Sequence, residues 1–340
     1  MTNSTPASPP TSGKRFLDLS GYGFSGKHAV IDLMREMQGF HVENFQFEFL
    51  LIRIQGGLLD LRAALVEDWS PIRSDAAIRR FRRLVRRMAT KAEWTDPRTW
   101  FQALGTNYDQ HYNNRFTPLS EAYINQLIEF SWSAAWPYAA AEWSGYEMFY
   151  RRLARKLRLP DADAVEMCLA WPQRFDELTR QYLADLLSTN VDPAVEVVVM
   201  HNAFEPFNPY RALTLFDSAK CIIVDRDPRD NYVAGLWYKP MRLPVEQFIR
   251  RYRTYRRVAE HFARPSPDVM RVQFEDLVLR YEDTLPKILH FLGVRPERHT
   301  APRKYFIPEA SAKNVGIWRN HPDQHEIRRI QEELPEYCRE

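Results

Sequence analysis

The chain has 340 residues, of which 45% are hydrophobic and 27% charged, as is typical of a globular protein with a hydrophobic core. Its formal net charge is only +3, because 47 basic residues are nearly balanced by 44 acidic ones. The overall electrostatic field is therefore weak, and any affinity for anions has to come from local clusters of charge.

The cysteines and the first residues of the chain indicate the compartment. Cys168, Cys221 and Cys338 are far apart and odd in number, which excludes a disulfide framework and a CxxC metal site. A reducing compartment is expected, and Cys221 opens an apolar run as a buried thiol. No apolar run approaches the roughly 18–20 residues of a membrane span. Residues 1–14 lack the apolar core of a signal peptide, so we expect a cytoplasmic protein with a disordered leader there.

The first half of the chain begins with strand and helix signals. A short apolar strand is predicted over 15–19, followed by a glycine-rich turn, a helix from about 26 to 38 and a strand over 40–47. The whole of 56 to about 190 is predicted to be helical, as an insertion or cap on a sheet.

Strand signals return in the second half. VEVVVM at 195–200 and CIIV at 221–224 are β-branched and almost uniformly apolar, as expected of parallel strands buried on both faces, and VMRVQF at 269–274 is a weaker candidate. Helices separate these strands, and a polar helix is predicted over 325–337. The pattern predicts the α/β class: one domain over 15–340, a P-loop-type parallel sheet flanked by helices, with a large helical insertion.

Two helices of the insertion are rich in basic residues. In AAIRRFRRLVRRMATK, the apolar residues recur at helical spacing: Ile78, Phe81, Leu84, Val85 and Met88. The other faces carry Arg79, Arg80, Arg82, Arg83, Arg86 and Arg87, and the second helix carries Arg151, Arg152, Arg155, Lys156 and Arg158. Such faces are usually only solvated, and the alternative is contact with an acidic polymer, an anionic lipid-linked acceptor or another anionic surface. Because no nucleic-acid motif accompanies them, nucleic acid is not an expected partner.

Three tryptophans of the insertion, Trp132, Trp136 and Trp143, are spaced by four and seven residues. This spacing predicts one face of a helix in the core, and stacking on a sugar is the alternative.

A glycine-rich segment joins the first predicted strand to the first helix: Gly21, Tyr22, Gly23, Phe24, Ser25, Gly26, Lys27 and His28. Glycines let the backbone point several N–H groups at one oxyanion, and Lys27 can reach a phosphate as a point charge. The spacing obeys GxxxxGK, but His28 stands where NTPases have the hydroxyl residue that ligates magnesium. The segment predicts a phosphate site without a metal, and a turn without a ligand is the alternative.

A second cluster follows the strand CIIV. Arg226 comes at the carboxyl end of that strand, where open α/β sheets bind ligands, and a guanidinium can grip a phosphate with two hydrogen bonds. Pro228 suits the first turn of the next helix and Asp227 can cap it. A network with Asp225, Asp227 and Asp230 on the surface is the alternative.

Together these segments resemble the sulfotransferases that use 3′-phosphoadenosine-5′-phosphosulfate (PAPS). The family's loop Gly-x-x-(Arg/Lys)-Ser-Gly-Thr-Thr, which holds the 5′-phosphosulfate, corresponds to residues 21–28. Its Arg-(Asp/Asn)-Pro-(Arg/Lys)-Asp motif, which holds the 3′-phosphate, corresponds to CIIVDRDPRDNYV with Arg226. VQFEDLVLRYEDTLPKILHFLGV resembles the family's later strand and helix, and KNVGIWRN resembles the Gly-x-Trp loop that closes over the nucleotide. The last of these implies nucleotide contacts for Lys313, Trp318 and Arg319.

The chain departs from this family at three places. Phe24 stands at the basic position of the loop and Lys27-His28 replace Thr-Thr, so Lys27 is expected to contact the 5′-phosphate or the sulfonate. Ala234 stands where many members have a serine that binds the 3′-phosphate, so either a lower affinity or substitution by another donor such as Lys313 is expected. Residues 56–190 carry no family signature, so the acceptor is open, with a carbohydrate, polysaccharide or lipid-linked sugar preferred.

The implied reaction needs in-line attack by a hydroxyl or amine, a base and nearby cations, and no metal. The resemblance points to a Glu or His after the loop helix as the base, and Glu48 is preferred over Glu43 and His41. A surface carboxylate among apolar neighbours is the alternative for Glu48. His201 and Asn202 stand where relatives often have a catalytic lysine, and either is expected to orient the acceptor or stabilise the leaving oxygen, with a capped strand end as the alternative.

Two other functions stay open. A P-loop kinase or NTPase would need a carboxylate for magnesium, for which Asp225 is the best candidate. A protein of the same fold that binds the nucleotide without turnover is the second. The sequence leaves the oligomeric state undefined.

Overall fold

The computed structural model describes residues 13–42, 47–91, 104–135, 137–158, 164–239 and 242–339. The chain divides into two compact units. The first contains Leu51–Asn190, and the second combines Gly13–Leu50 with Val191–Glu340. The prediction of a disordered leader and a single domain stays a prediction.

The described residues form strands and helices with the following bounds. The strands are β1 (Arg15–Gly21), β2 (Phe40–Val42), β3 (Ile128–Ala135), β4 (Ala164–Ala170), β5 (Val197–His201), β6 (Ala219–Asp225) and β7 (Val269–Gln273). The α-helices are α1 (His28–Met34), α2 (Leu58–Arg62), α3 (Pro71–Ala89), α4 (Tyr108–His111), α5 (Phe116–Leu127), α6 (Gly145–Lys156), α7 (Phe175–Leu187), α8 (Tyr210–Leu213), α9 (Pro228–Leu236), α10 (Val245–Phe262), α11 (Phe274–Leu279), α12 (Tyr281–Leu292), α13 (Pro308–Ala312) and α14 (Gln324–Glu333). Tighter 3₁₀ turns occur at Pro137–Glu142, Pro172–Arg174, Pro296–Arg298, Ile317–Asn320 and Pro335–Tyr337, and a π-helical turn at Ala63–Glu67.

The second unit is built on a five-stranded sheet in the order β2-β5-β1-β6-β7. Every neighbouring pair of these strands is parallel. All five residues of β5 are buried, as are the last five of β6, because helices cover both faces of a parallel sheet. The Cys221 thiol is fully buried, as predicted. The predicted α/β class with a parallel sheet is confirmed.

Two hydrophobic clusters attach helices to this unit. Side chains of α1, α11 and α12 pack with those of the strands, including Ile31, Leu277 and Ile288. A second cluster joins α9, α10 and α14 through residues such as Val233 and Ile330. Burial of such aliphatic side chains is the main stabilising term for these helices.

The register of the central strands sets one edge of the sheet. Leu19 of β1 pairs with His201 of β5, and Gly21 pairs with Val224 of β6. The segments that follow these three strands therefore start at the same edge, which is where parallel sheets of this kind bind ligands.

The first unit contains helices and one antiparallel ribbon. The apolar face predicted for α3 is buried as expected, and Phe81 contacts Tyr123 of α5 with ring centroids 6.0 Å apart. Tyr123 in turn stacks on Tyr182 of α7 at 4.6 Å. The prediction that 56–190 is entirely helical is wrong, because β3 and β4 form a two-stranded sheet.

The helical interpretation of the tryptophan spacing is wrong for the same reason. Trp132 lies on β3 opposite Met167, while Trp143 follows a 3₁₀ turn, and both pack against Val165 and Met167. Trp136 lies outside the described residues. The run Ser-Trp-Ser-Ala also alternates, and here the period of two prevails over the helical spacing.

Three element boundaries differ from the sequence prediction. The first helix ends at Met34 rather than about residue 38, because Met37 bridges to His299 and Gly39 takes a positive φ of 80°. The strand predicted over 40–47 is present at Phe40–Val42, where it pairs with β5, whereas Phe47 is not in a strand and residues 43–46 lie outside the described ranges. The last helix stops at Glu333, since Pro335 opens a separate 3₁₀ turn.

Candidate functional site

The glycine-rich segment forms a tight loop between β1 and α1. The Ser25 N–H donates to the carbonyl of Tyr22 at 3.0 Å, and Phe24 and Gly26 both take left-handed conformations, with φ of 62° and 80°. A Cβ on Gly26 would lie 2.4 Å from the ring of Phe274, so only glycine fits at this position.

The loop contains a small cradle beside the end of β1. A Cβ on Gly21 would lie 2.2 Å from the hydroxyl of Ser25 and 2.9 Å from the carbonyl oxygen of Val224. The missing side chain therefore lets the Ser25 hydroxyl lie against the strand end. That hydroxyl is buried and has no hydrogen-bond partner within the described residues. A bound oxyanion would satisfy it.

Arg226 connects this loop to the C-terminal segment. Its guanidinium donates to the carbonyl of Phe24 at 3.0 Å and to the carbonyl of Asn314, and it lies 5.1 Å from the centre of the Phe274 ring. The side chain is buried, and this desolvation lowers the pKa of Arg226. Its Nε has no hydrogen-bond partner among the described residues. Arg226 therefore holds two loops together and keeps a donor available.

The start of α9 has the predicted cap. Pro228 occupies the first turn, and the carboxylate of Asp227 accepts from the backbone N–H of Arg229 at 2.8 Å. The same carboxylate forms an ion pair with the Arg229 guanidinium at 2.7 Å. That guanidinium lies 4.1 Å from the centre of the Trp318 ring. The predicted capping role of Asp227 is confirmed.

Two further side chains of α9 hold the neighbouring loops, and the sequence interpretation gave them no such role. Asn231 donates to the carbonyl of Gly23 at 2.7 Å. Asp230 accepts from the backbone N–H groups of Gly316 at 2.7 Å and Trp318 at 3.1 Å. Burial raises the pKa of Asp230, and these two N–H donors act in the opposite direction. The signals in the sequence were the position of both residues one turn after Arg226 and the place of Asp230 at the end of the family's motif.

The residues of the Gly-x-Trp segment differ in exposure. Lys313 is exposed and lies directly before Asn314, the residue whose carbonyl accepts from Arg226. Arg319 is also exposed, and its guanidinium lies 4.7 Å from the Trp318 ring centre. Ala234 is half-buried in α9 and offers no donor in place of the family's serine.

Lys27 and Glu48 form an ion pair, with Nζ 3.2 Å from Oε1. The side-chain amide of Asn202 donates to the same Oε1. The Glu48 side chain is 41% exposed and that of Lys27 only 13%, so the carboxylate is open to a ligand while the ammonium is largely enclosed. The structure thus brings together two of the three predicted catalytic side chains and Asn202.

The other catalytic candidates lie in different environments. His201 ends β5 with a buried side chain, and its carbonyl accepts from the N–H of Phe49 at 3.1 Å. His41 lies on β2 in register with Val198. Glu43 lies outside the described residues. Partial desolvation and the charge of Lys27 lower the pKa of His28, the first residue of α1.

The two aromatic residues of the loop contact separate partners. The Tyr22 ring is buried, with ring centroids 5.1 Å from Phe207 and 6.2 Å from Tyr255. The Phe24 ring lies near the end of α9, with its centroid 6.3 Å from that of Tyr238. Tyr22 therefore contributes its backbone rather than its side chain to the loop.

Asp225, the carboxylate needed by the kinase alternative, is already engaged. Arg256 lies 2.9 Å and Arg271 2.8 Å from its two oxygens. Two arginines neutralise this carboxylate, so it is poorly suited to a magnesium ion. Across the described ranges, no group of three or more His, Cys, Asp and Glu residues could hold a metal.

The fold and the site together define the class of protein. The chain is an α/β protein with a parallel sheet, whose central strands end in a glycine-rich loop, a buried arginine and a lysine–glutamate pair. A family model described as the sulfotransferase family matches residues 125–298, just over half of the chain. The chain belongs to this family, which confirms the resemblance. The matched range includes Arg226 but not the loop at 21–28.

Three solved structures are similar to the chain at low identity. The sulfotransferase domain of the Synechococcus olefin synthase is 15% identical, with a TM-score of 0.42 and 98% of each chain covered. That of the curacin biosynthetic pathway is 12% identical, with a TM-score of 0.42 over 95% of this chain and 97% of the other. Sulfotransferase STF9 from Mycobacterium avium is 14% identical, with a TM-score of 0.36 over 97% and 76%. No curated protein matches the chain in sequence.

Proposed function

We propose that the chain transfers a sulfonate group from PAPS to a hydroxyl or amine of an acceptor, with a carbohydrate as the acceptor class. The observation that carries the proposal is the Lys27–Glu48 pair, 3.2 Å apart, at the end of the glycine-rich loop. It combines a cation for a transferring anionic group with an accessible carboxylate that can take a proton. Membership of the sulfotransferase family supports this choice of reaction.

The residues of the loop suit the 5′ end of such a donor. The cradle at Gly21 and the buried hydroxyl of Ser25, which has no partner in the described ranges, offer room and a hydrogen-bond donor for an oxyanion. Lys27 adds a positive charge beside them. An anion binds more tightly when several preorganised donors converge on one place.

Arg226 is the residue we assign to the 3′-phosphate. Two of its N–H groups donate to backbone carbonyls, but a guanidinium has five, and Nε is without a partner in the described part of the chain. Lys313 and Arg319 on the Gly-x-Trp segment add exposed positive charge that can replace the serine missing at Ala234. Trp318, fixed through Asp230, completes the proposed nucleotide contacts.

Glu48 is the proposed general base. As the acceptor oxygen forms its bond to sulfur, the acceptor proton passes to the Glu48 carboxylate. The bond from sulfur to the 5′-phosphate oxygen breaks, and its electron pair leaves with 3′-phosphoadenosine-5′-phosphate (PAP). Asn202 orients the carboxylate, and Lys27 stabilises the negative charge on the transferring group. His201 is left as the candidate for positioning the acceptor.

The proposal is tested by transfer of labelled sulfonate from PAPS to a panel of saccharides, phenols and amines. We expect labelled saccharide and an equal amount of PAP, and both products to form at least about a hundredfold more slowly with a Glu48→Gln variant. Labelled phenol alone would overturn the acceptor class but keep the donor. Transfer of phosphate from ATP in the same panel, with none from PAPS, would overturn the reaction itself.

A further inference from the structure

Helix α6 exposes its apolar side chains instead of burying them. Five large side chains, four of the helix and that of Leu157, the residue that caps its C-terminus, lie outward with exposed fractions between 42% and 79%: Tyr146, Phe149, Tyr150, Leu153 and Leu157. Ala154 is the only buried residue of the helix. Single exposed apolar residues are ordinary, but a continuous stripe of them marks a surface that another body covers.

The spacing of these residues makes one continuous stripe. At 100° per residue, positions 146, 149, 150, 153 and 157 fall within an arc of about 100°, whereas Ala154 lies beside that arc. The helix begins with a complete capping box, in which the Ser144 hydroxyl accepts from the Glu147 N–H at 3.1 Å and the Glu147 carboxylate accepts from the Ser144 N–H at 2.9 Å. The capping box stabilises the N-terminus of the helix, so the stripe is presented on a well-formed helix.

Positive charge lies next to the stripe. From residue 145 to 158 the sequence contains five basic residues and one acidic residue, Glu147. Arg152 and Lys156 are exposed and lie along one border of the stripe. An apolar face bordered by Lys and Arg, with tyrosines among the apolar residues, is the pattern of a helix that lies in the headgroup region of a membrane.

The same unit offers further positive charge next to α6. Residues of α3, α6 and β4 line a cavity of about 320 Å³. Five arginines contribute to it, against three glutamates: Arg79, Arg82, Arg83, Arg86 and Arg151. Arg83 and Arg86 make no ion pair with a carboxylate in the part of the chain described. An anionic headgroup is the partner with the matching charge.

We propose that α6 is an interfacial helix that binds the protein to anionic lipid bilayers. The stripe inserts between the headgroups, and the border of basic residues attracts the anionic lipids. None of the helices within the described residues has the length and apolar character needed to cross a membrane. Because one amphipathic helix lies in the headgroup region, the proposed contact is peripheral and reversible, and it does not depend on which donor the enzyme uses.

The test is co-sedimentation of the full chain with vesicles of phosphatidylcholine, with and without phosphatidylglycerol. We expect binding to the anionic vesicles, weaker binding to neutral ones, and loss of the difference in high salt. A Phe149→Ser/Leu153→Ser variant removes apolar area only from the exposed stripe and should bind at least about tenfold more weakly. An Arg152→Gln/Lys156→Gln variant should lose about fivefold in affinity per charge removed, on anionic vesicles only.

Leu279→Ser is the matched control, because Leu279 of α11 is 61% exposed and lies outside the stripe. It should bind vesicles like the unchanged chain, and circular dichroism should show all variants folded. Absence of the unchanged chain from the pellet with anionic vesicles would overturn the proposal. Binding of the Phe149→Ser/Leu153→Ser variant to anionic vesicles as tightly as the unchanged chain would also overturn it. Self-association that this variant abolishes, without any vesicle binding, would instead make the stripe a protein interface.

Discussion

The guanidinium of Arg226 donates a hydrogen bond to the backbone carbonyl of Phe24, 3.0 Å away, across 202 residues of sequence. The bond fixes a loop residue that takes a left-handed φ of 62°, a backbone conformation that residues other than glycine rarely adopt. The proposed 3′-phosphate residue thus also shapes the loop proposed for the 5′ end. The two ends of the nucleotide site are therefore coupled through one side chain.

Replacing Arg226 tests this coupling. Arg226→Ala should weaken PAP binding by about 1.5–3 kcal/mol, the value of a lost charge-assisted hydrogen bond. The PAP affinity of Arg226→Lys should lie between that of the unchanged chain and that of Arg226→Ala, because an ammonium keeps the charge but cannot bridge two carbonyls and a phosphate. Isothermal titration calorimetry gives the affinities. Unchanged PAP affinity in folded Arg226→Ala protein would refute the assignment.

Lys27 should affect transfer more than binding. Lys27→Ala removes the cation beside the transferring group, so kcat should fall by a larger factor than PAP affinity. Lys287→Ala, an exposed lysine on α12, is the matched control and should change neither. Steady-state kinetics and calorimetry on the same preparations separate the two effects. Equal losses in kcat and affinity would make Lys27 a docking charge only.

Glu48 is the most discriminating position for the chemistry. Glu48→Gln keeps the shape of the side chain and its contact with Asn202 but removes its basicity. We expect near-normal PAP binding and turnover reduced at least about a hundredfold, as for loss of a general base. His41→Ala and Glu43→Gln should retain most activity. An inactive Glu43→Gln protein beside an active Glu48→Gln protein would move the base to residue 43, and activity in all three would leave His201 to be tested.

Asp18 should make stability depend on pH. This carboxyl lies buried in β1, where desolvation raises its pKa from 3.8 to about 6 although Ser20 and the Ala203 N–H donate to it. A raised pKa means that the folded state holds the proton more tightly. The contribution to the free energy of unfolding is therefore full below about pH 4 and declines as the pH rises through about 6.

The Asp18→Asn variant lacks this ionisation and serves as the reference. Urea unfolding of both proteins at a series of pH values should show the unchanged chain losing stability relative to the variant between pH 4 and 7, around the pKa of about 6. A difference that stays constant over this range would show that the Asp18 pKa is not raised.

The fold was predictable where the physical signal is local. VVVM and CIIV are apolar throughout, which only strands covered on both faces tolerate, and both strands lie where the sequence placed them. Asp227 and Pro228 occupy the expected cap positions because capping depends on neighbouring residues alone. The β3–β4 ribbon was missed, since its alternation competes with a helical spacing of tryptophans over the same residues.

The site was only partly predictable because its contacts are distant in sequence. Lys27 was singled out by its place after the last glycine of the loop, and Glu48 by the resemblance. Nothing local shows that Asn202, 154 residues away from Glu48, donates to the same carboxylate. Asp230 ends the family's motif, but neither it nor Asn231 shows in the sequence which backbone groups it binds. Their roles depend on the folding of residues 23 and 316–318 against them.

The proposed PAPS site is tested most directly by comparing thermal stabilisation of the protein by PAP, by ADP and by ATP with magnesium. A ligand that binds only the folded state raises Tm, and the stabilisation grows with the logarithm of its concentration relative to Kd. We predict that PAP raises Tm in the presence of a metal chelator and that Arg226→Ala reduces this shift. Stabilisation by ATP with magnesium and none by PAP would contradict the assignment of a PAPS site to this chain.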